Sequence, residues 1–178
     1  VYYFYAAVRL GGPEREIAFS VPTGNFGDVF AGYVASRMGL PIKRLIVATN
    51  VNDILHRALS SGDYSAGKVT ATATPSMDIQ VSSNFERLLF DLASRDGEAL
   101  FKLMGEFEST RKMQIPEDMV AGARELFSSA SVDGDEMALA LRWAQERGGQ
   151  IIDPHSAVGL AAARASDVPA DVPVVTLA

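Results

Sequence analysis

Along the chain, apolar positions come in short runs, and their spacing switches between strand-like and helical. Val1 to Leu10 reads as a helix stopped by Gly11-Gly12-Pro13. Glu16 to Val21, continuously apolar or small from Ile17, predicts a buried strand. From Asp28 to Met38 the pattern turns helical, with Val29, Phe30, Tyr33 and Val34 on one side, and Gly39-Leu40-Pro41 ends it. Arg44 to Ala48 predicts a second buried strand, and Asn50-Val51-Asn52-Asp53 the cap of a short helix reaching Leu59. Ser60 to Gly67 is a polar loop. Lys68 to Ala73 is short and β-prone, and Thr74-Pro75-Ser76 turns the chain. Phe85, Leu88, Leu89 and Leu92 then mark a clear helix, with Ser83 and Glu86 spaced for a capping box.

The pattern changes between Asp96 and Gly148. This stretch is more charged, helical in spacing and without a strand signal. Met119, Ala123, Leu126 and Phe127 form one stripe, and Asp133 with Glu136 predicts a capped helix to Arg147, stopped by Gly148-Gly149. We read 96–148 as a helical insertion within one domain spanning 1–178. After it, Ile151-Ile152 predicts a short strand, Asp153-Pro154 a helix start, and Val172 to Leu177 a last strand. Strands alternating with helices predict an α/β fold, a mainly parallel sheet flanked by helices. The apolar opening at Val1, without Met or cap, and the strand running out at Ala178 predict a piece of a longer chain.

Composition narrows the chemistry. A hydrophobic content of 48% with 21% charged residues fits an ordinary globular domain. The net charge of −6, with no basic block, argues against nucleic acid as the main partner. No apolar run is long enough to span a bilayer, nothing resembles a signal peptide, and the expected compartment is the cytoplasm. With no cysteine, disulfides, thiolate metal sites and a cysteine nucleophile are excluded. The two histidines, His56 and His155, are far apart and lack ligand-like spacing, so no metal site is expected.

One stretch stands out, Ser20-Val21-Pro22-Thr23-Gly24-Asn25-Phe26-Gly27-Asp28. A strand, a glycine-flanked turn and a helix N-terminus make an anion site, because the first helical turn has unpaired N–H groups and the positive end of the macrodipole. Gly24 and Gly27 allow close approach and positive φ, and Thr23 and Asn25 offer side-chain donors. The spacing is GxxG, neither a Walker A loop nor GxGxxG. A strand-to-helix turn that needs two glycines for geometry alone would read the same way. Ser83, Asn84 and Arg87 form a second polar group at a helix start, suited to a phosphate or carboxylate or simply to capping and solvation. His155 falls in a first helical turn, where a hydrogen-bonded neutral ring is the plain reading. Lys43, Lys68, Lys102 and Lys112 lie at strand flanks or on charged faces, none in the apolar setting that lowers a lysine pKa.

Beyond the loop, a series of blocks resembles the threonine synthases. They are Val21-Pro22-Thr23-Gly24-Asn25-Phe26-Gly27-Asp28, Phe30-Ala31-Gly32-Tyr33, Gly39-Leu40-Pro41-Ile42, Val47-Ala48-Thr49-Asn50, and Asn52-Asp53-Ile54-Leu55. Pro75-Ser76-Met77-Asp78-Ile79, Ser82-Ser83-Asn84-Phe85-Glu86-Arg87-Leu88, Ile152-Asp153-Pro154-His155 and Ala157-Val158-Gly159 continue the series in family order. The resemblance implies a fold-type II enzyme, tryptophan synthase beta-like, that uses pyridoxal 5′-phosphate (PLP). It implies conversion of O-phospho-L-homoserine and water to L-threonine and phosphate. It also implies that Gly24, Asn25, Phe26, Gly27 and Asp28 bind the cofactor phosphate. Asn84 and Arg87, which share a helix start, are expected to face an anionic group on the substrate, because a guanidinium fork fits phosphate. The family's Schiff-base lysine lies before anything present here, and the group facing the pyridine nitrogen just after the final strand. No catalytic residue is therefore expected in this chain, which alone should be inactive. Another fold-type II lyase, such as a threonine dehydratase, and a non-catalytic ligand-binding relative remain as alternatives.

Overall fold

A computed structural model describes all 178 residues. In chain order the elements are α1 (Tyr2–Arg9), β1 (Ile17–Pro22), α2 (Gly27–Arg37), β2 (Ile42–Thr49), α3 (Ile54–Ser61), a 3-10 turn (Pro75–Met77), α4 (Phe85–Leu92), α5 (Gly97–Thr110), α6 (Glu117–Arg124), β3 (Phe127–Ser131), α7 (Gly134–Gly148), α8 (Pro154–Ala165) and β4 (Val174–Thr176). The four strands form one sheet in the order β3-β2-β1-β4, and every pairing is parallel.

The strands read as unbroken apolar runs because both faces are covered. On one face Phe19, Val21, Leu45 and Val47 join the large core built with α1 to α6. On the other, Ile46 and Ala48 pack with Val158 and Ala162 of α8. Each fully buried large side chain of this kind stabilises the fold by roughly 1.5–3 kcal/mol. Helix α8 lies close because Gly159 faces the sheet, where a Cβ would come within 2.9 Å of Thr176 and 3.0 Å of Pro22. Ser20 Oγ, buried in mid-strand, donates to the Gly159 carbonyl at 2.6 Å.

Several expectations are corrected here. The 96–148 stretch is not all helical, since Phe127–Ser131 forms β3 and pairs with β2 from Leu45 to Thr49. Its sequence, Phe-Ser-Ser-Ala-Ser, carries a single large apolar residue. The strand is held by backbone pairing at the sheet edge, which leaves little hydrophobic signal. Ile151-Ile152 form no strand, because Gly149 ends α7 at φ 62° and Asp153 already caps α8, leaving only a short link with Ile151 exposed. Helix α4 starts at Asn84 without a side-chain cap, so Ser83 and Glu86 make no capping box. The box expected at Asp133 and Glu136 is formed. Helix α2 buries Val29, Gly32 and Ala35, whereas Val34 of the expected stripe is exposed. The reason is α1: the Tyr3 ring fills the space a Cβ at Gly32 would need, 2.6 Å away.

Candidate functional site

The loop between β1 and α2 sits at the carboxyl end of the central strand, where ligands bind in open parallel sheets. Its backbone conformation differs from the expectation. Neither Gly24 nor Gly27 has positive φ; the left-handed residue is Phe26, at φ 67°. A non-glycine residue there costs of order 1–3 kcal/mol and persists only where its surroundings fix it. Here they do, since the Phe26 ring is fully buried and packs against Phe85 at 5.2 Å and Phe127 at 5.8 Å. The glycines are needed for space. A Cβ at Gly24 would lie 2.6 Å from the Ser76 carbonyl oxygen, and one at Gly27 would lie 3.1 Å from Asn25 Oδ1 and 3.3 Å from Asn84 Nδ2.

The loop's acceptors are occupied from within the protein. Asn25 Oδ1 accepts from the Gly27 N–H at 2.9 Å, so that N–H is not free. Both the backbone N–H and the side-chain amide of Asn84 donate to the Asn25 carbonyl at 3.0 Å. Ser82 Oγ donates to the Gly24 carbonyl at 2.9 Å. The Tyr3 hydroxyl donates to the Asp28 carbonyl at 2.9 Å and reaches its carboxylate at 3.3 Å. Thr23 is buried and donates to the Val21 carbonyl, so it is not the side-chain donor anticipated for a ligand. The backbone N–H groups of Gly24, Asn25, Phe26 and Asp28 have no acceptor in the protein. They lie at the N-terminus of α2, where the macrodipole favours negative charge. Burial raises the Asp28 carboxyl above its ordinary pKa, and the Tyr3 hydrogen bond works the other way.

A cavity of about 410 Å³ opens beside the loop, lined by Pro22, Gly24, Asn25, Asp28, Ser76, Met77, Asp153 and His155. Its far wall is the first turn of α8. Asp153 caps that helix by accepting from the backbone N–H groups of His155 at 2.8 Å and Ser156 at 3.3 Å, and from the Ser156 hydroxyl. The Ser156 hydroxyl is the main influence holding the Asp153 carboxyl below the ordinary range, against the upward push of burial. His155 Nδ1 lies 3.2 Å from Asp153 Oδ1, but its Nε2 is buried with no partner.

Ser76 and Met77 are fixed from behind. Asp78 Oδ1 accepts from Asn50 Nδ2 at 2.7 Å, Asn52 Nδ2 at 3.0 Å and Thr72 Oγ1 at 2.7 Å, and Oδ2 from the Thr72 N–H at 2.8 Å. Asn50 also donates to Thr74 Oγ1 at 2.8 Å. This network ties the carboxyl end of β2 to the 3-10 turn that forms the cavity floor. By sequence, Asn50 and Asn52 read as helix caps. Their side chains instead hold a segment 18 to 28 residues downstream. Arg87 is separate from the cavity. It is exposed, and lines a groove of about 830 Å³ with Gly27, Phe30 and Val34. Of the four lysines, none lines the cavity, and Lys43 pairs with Glu16 at 3.3 Å.

Comparison with known proteins converges on one family. A threonine synthase of Pseudomonas aeruginosa is 49% identical over 177 residues, which cover 99% of this chain. The chain is homologous to the threonine synthases. The PLP-bound threonine synthase from Brucella melitensis superposes with a TM-score of 0.95 at 48% identity over 98% of the chain. A serine racemase from Dictyostelium discoideum superposes at a TM-score of 0.52 over 98% of this chain and 47% of that one, but at 19% identity the likeness extends to the fold alone. No protein-family model matches. The chain spans 38% of the length of the Pseudomonas threonine synthase and 38% of the Brucella structure. The fold is thus that of the fold-type II PLP enzymes, a parallel sheet flanked by helices, as the alternation of elements predicts. No helix is long and apolar enough to cross a membrane.

Proposed function

We propose that this chain is the cofactor-phosphate part of a PLP-dependent threonine synthase, a lyase of threonine biosynthesis that turns O-phospho-L-homoserine and water into L-threonine and phosphate in the cytoplasm. The observation that carries the reading is the row of unpaired N–H groups at Gly24, Asn25, Phe26 and Asp28, beside a cavity at the carboxyl end of the central strand. These residues fit a phosphate monoester: the donors are backbone, the helix dipole has the right sign, and side chains are excluded from Gly24 and Gly27. The likeness to a PLP-bound threonine synthase over nearly the whole chain supports the same assignment.

When bound, PLP supplies an electron sink that acidifies the positions beside an amino group. This chain's residues hold and orient it. The loop donors grip the phosphate, Asn25 keeps Gly27 in register, and Asn84 braces the loop through the Asn25 carbonyl. Arg87, with no ion-pair partner and beside Gly27, is the proposed substrate-side cation, its planar fork suited to phosphate.

The test is made in the intact protein. Gly27→Val pushes a branched side chain onto Asn25 and Asn84, and PLP affinity should fall by about 1–3 kcal/mol, the usual cost of overpacking. Arg87→Lys should leave PLP affinity alone and raise KM for O-phosphohomoserine. Full PLP retention in folded Gly27→Val would remove the basis of the loop assignment.

A further inference from the structure

In a trans peptide the carbonyl of one residue and the N–H of the next lie in one plane and point in opposite directions. A hydrogen bond that fixes a carbonyl therefore also aims the N–H that follows it. Ser82 Oγ holds the Gly24 carbonyl at 2.9 Å and so sets the direction of the Asn25 N–H, one of the unpaired donors of the loop. Asn84 does the same for the Phe26 N–H through the Asn25 carbonyl. Ser82 is itself held by Tyr64. The Tyr64 hydroxyl accepts from the Ser82 N–H at 2.8 Å and reaches the Ser82 carbonyl at 3.4 Å, and both residues are buried. The tyrosine is fixed in turn by its neighbours. Its ring stacks on Phe85 at 5.2 Å and packs on Phe107 of α5 at 4.8 Å. Its backbone exchanges hydrogen bonds with Met113 at 2.9 and 3.2 Å, and bonds from Ala66 to Arg111 and from Ile115 to Gly62 flank that pair. Phe107 and Met113 belong to the 96–148 stretch. That stretch lines no part of the cavity beside Gly24, yet it is joined to the loop through Tyr64 and Ser82.

We propose that Tyr64 is a positioning residue for the phosphate site: clamped by Phe107 and Met113, it orients Ser82, which aims the Asn25 N–H at the bound phosphate. This role rests on the phosphate-binding reading of the loop. It gives residues 97–115 a part in ligand binding that none of their side chains supplies at the cavity wall. Removing the Tyr64 hydroxyl leaves the buried Ser82 N–H without an acceptor, and a buried donor without a partner drives its segment to shift. The Gly24 carbonyl then loses its fixed donor, and the Asn25 N–H its fixed direction.

The experiment uses the intact protein and compares wild type, Tyr64→Phe, Ser82→Ala, the double variant, Tyr33→Phe and Gly27→Val. Phenylalanine keeps the packed ring and removes only the hydroxyl. Tyr33→Phe is the matched control, since the Tyr33 hydroxyl bonds Asp91 and neither residue lines the cavity. Denaturant midpoints report stability, absorbance titration gives the PLP dissociation constant, and the 31P resonance reports the surroundings of the bound phosphate. Tyr64→Phe and Ser82→Ala should each weaken PLP on the order of threefold to tenfold, the worth of one neutral hydrogen bond. Both should shift the 31P line in the same direction. Tyr33→Phe should lose stability while PLP affinity and the 31P line stay as in wild type. Because Tyr64 acts through Ser82, the double variant should weaken PLP no more than Ser82→Ala alone. Wild-type PLP affinity in folded Tyr64→Phe, or losses that add in the double variant, overturns the proposal. Phe107→Leu loosens the same clamp from α5 and takes the place of Tyr64→Phe if that variant does not fold. Gly27→Val separates the two readings: PLP kept there removes the loop assignment itself, whereas PLP lost there and kept in Tyr64→Phe leaves the loop assigned and Tyr64 without a part in it.

Discussion

Replacing Gly24 by alanine tests the cavity geometry with a single methyl group. The added Cβ would lie 2.6 Å from the Ser76 carbonyl oxygen, where ordinary contact starts at 3.4 Å. Gly24 has ordinary negative-φ geometry, so the effect is one of space and not of backbone conformation. Relief requires one backbone segment to move by roughly 0.8 Å, and both are pinned. The Gly24 carbonyl is held by Ser82 Oγ, and the Ser76 turn by the Asp78 network. Overpacking of this kind costs about 1–3 kcal/mol. Part of it should appear as lower stability and part as weaker PLP binding, because the displaced atoms are those that line the cavity. Gly105→Ala is the control. It sits inside α5 with nothing within 4 Å of its Cβ, and alanine there should stabilise by about 0.5–1 kcal/mol. Denaturant midpoints and PLP dissociation constants measured on both variants give the comparison. If Gly24→Ala matched Gly105→Ala in stability and kept wild-type PLP affinity, the tight approach of loop and turn would be refuted.

Two further outcomes follow from the same geometry. Burial pushes the Asp78 carboxyl up, but hydrogen bonds from Thr72 and Asn50 outweigh it and hold it below its ordinary value of 3.8; its contribution is present above that value and lost as the pH falls through the lower folded one, so Asp78→Asn should be less stable at neutral pH and flatter than wild type in acid unfolding below about pH 4. The 178-residue chain alone, mixed with PLP and reduced with borohydride, should show scattered, substoichiometric labelling of Lys43, Lys68, Lys102 and Lys112 by mass spectrometry; stoichiometric labelling of one of them, with threonine formed from O-phosphohomoserine, would overturn the expectation that none is catalytic.

What the amino-acid order makes legible here depends on how local each feature is. Strands β1 and β2 announce themselves because they are apolar on both faces. The caps Asp133 and Asp153 are legible because capping is settled within three residues. Strand β3 is not, because its five residues need only an edge to pair with, and the stripe that ends in Phe127 runs straight from α6 into the strand. The buried face of α2 is not legible either, because the deciding contact, Tyr3 against Gly32, comes from a helix about thirty residues away. Asn50 and Asn52 carry the same side-chain chemistry whether they cap a helix or bind Asp78. Only the return of residues 72–78 over the end of β2 selects between the two.

The loop shows the same division. Two glycines after a strand suggest an anion site, but they do not say which N–H groups remain free. That is decided by partners distant in sequence. Ser82 and Asn84 supply donors to the carbonyls of Gly24 and Asn25, and Tyr3 supplies one to Asp28. Each satisfies an acceptor that would otherwise need a donor of its own. Meanwhile the left-handed turn at Phe26, fixed by its buried ring, carries the chain from β1 into α2 without pairing the neighbouring N–H groups. A loop whose acceptors are filled and whose donors are open has a net demand for an acceptor. A phosphate oxygen meets that demand, whereas a cationic group does not. The anion preference we propose for the loop therefore rests less on the glycines than on α1 and the segment from Ser82 to Asn84 that leads into α4, whose donors occupy the loop's oxygens.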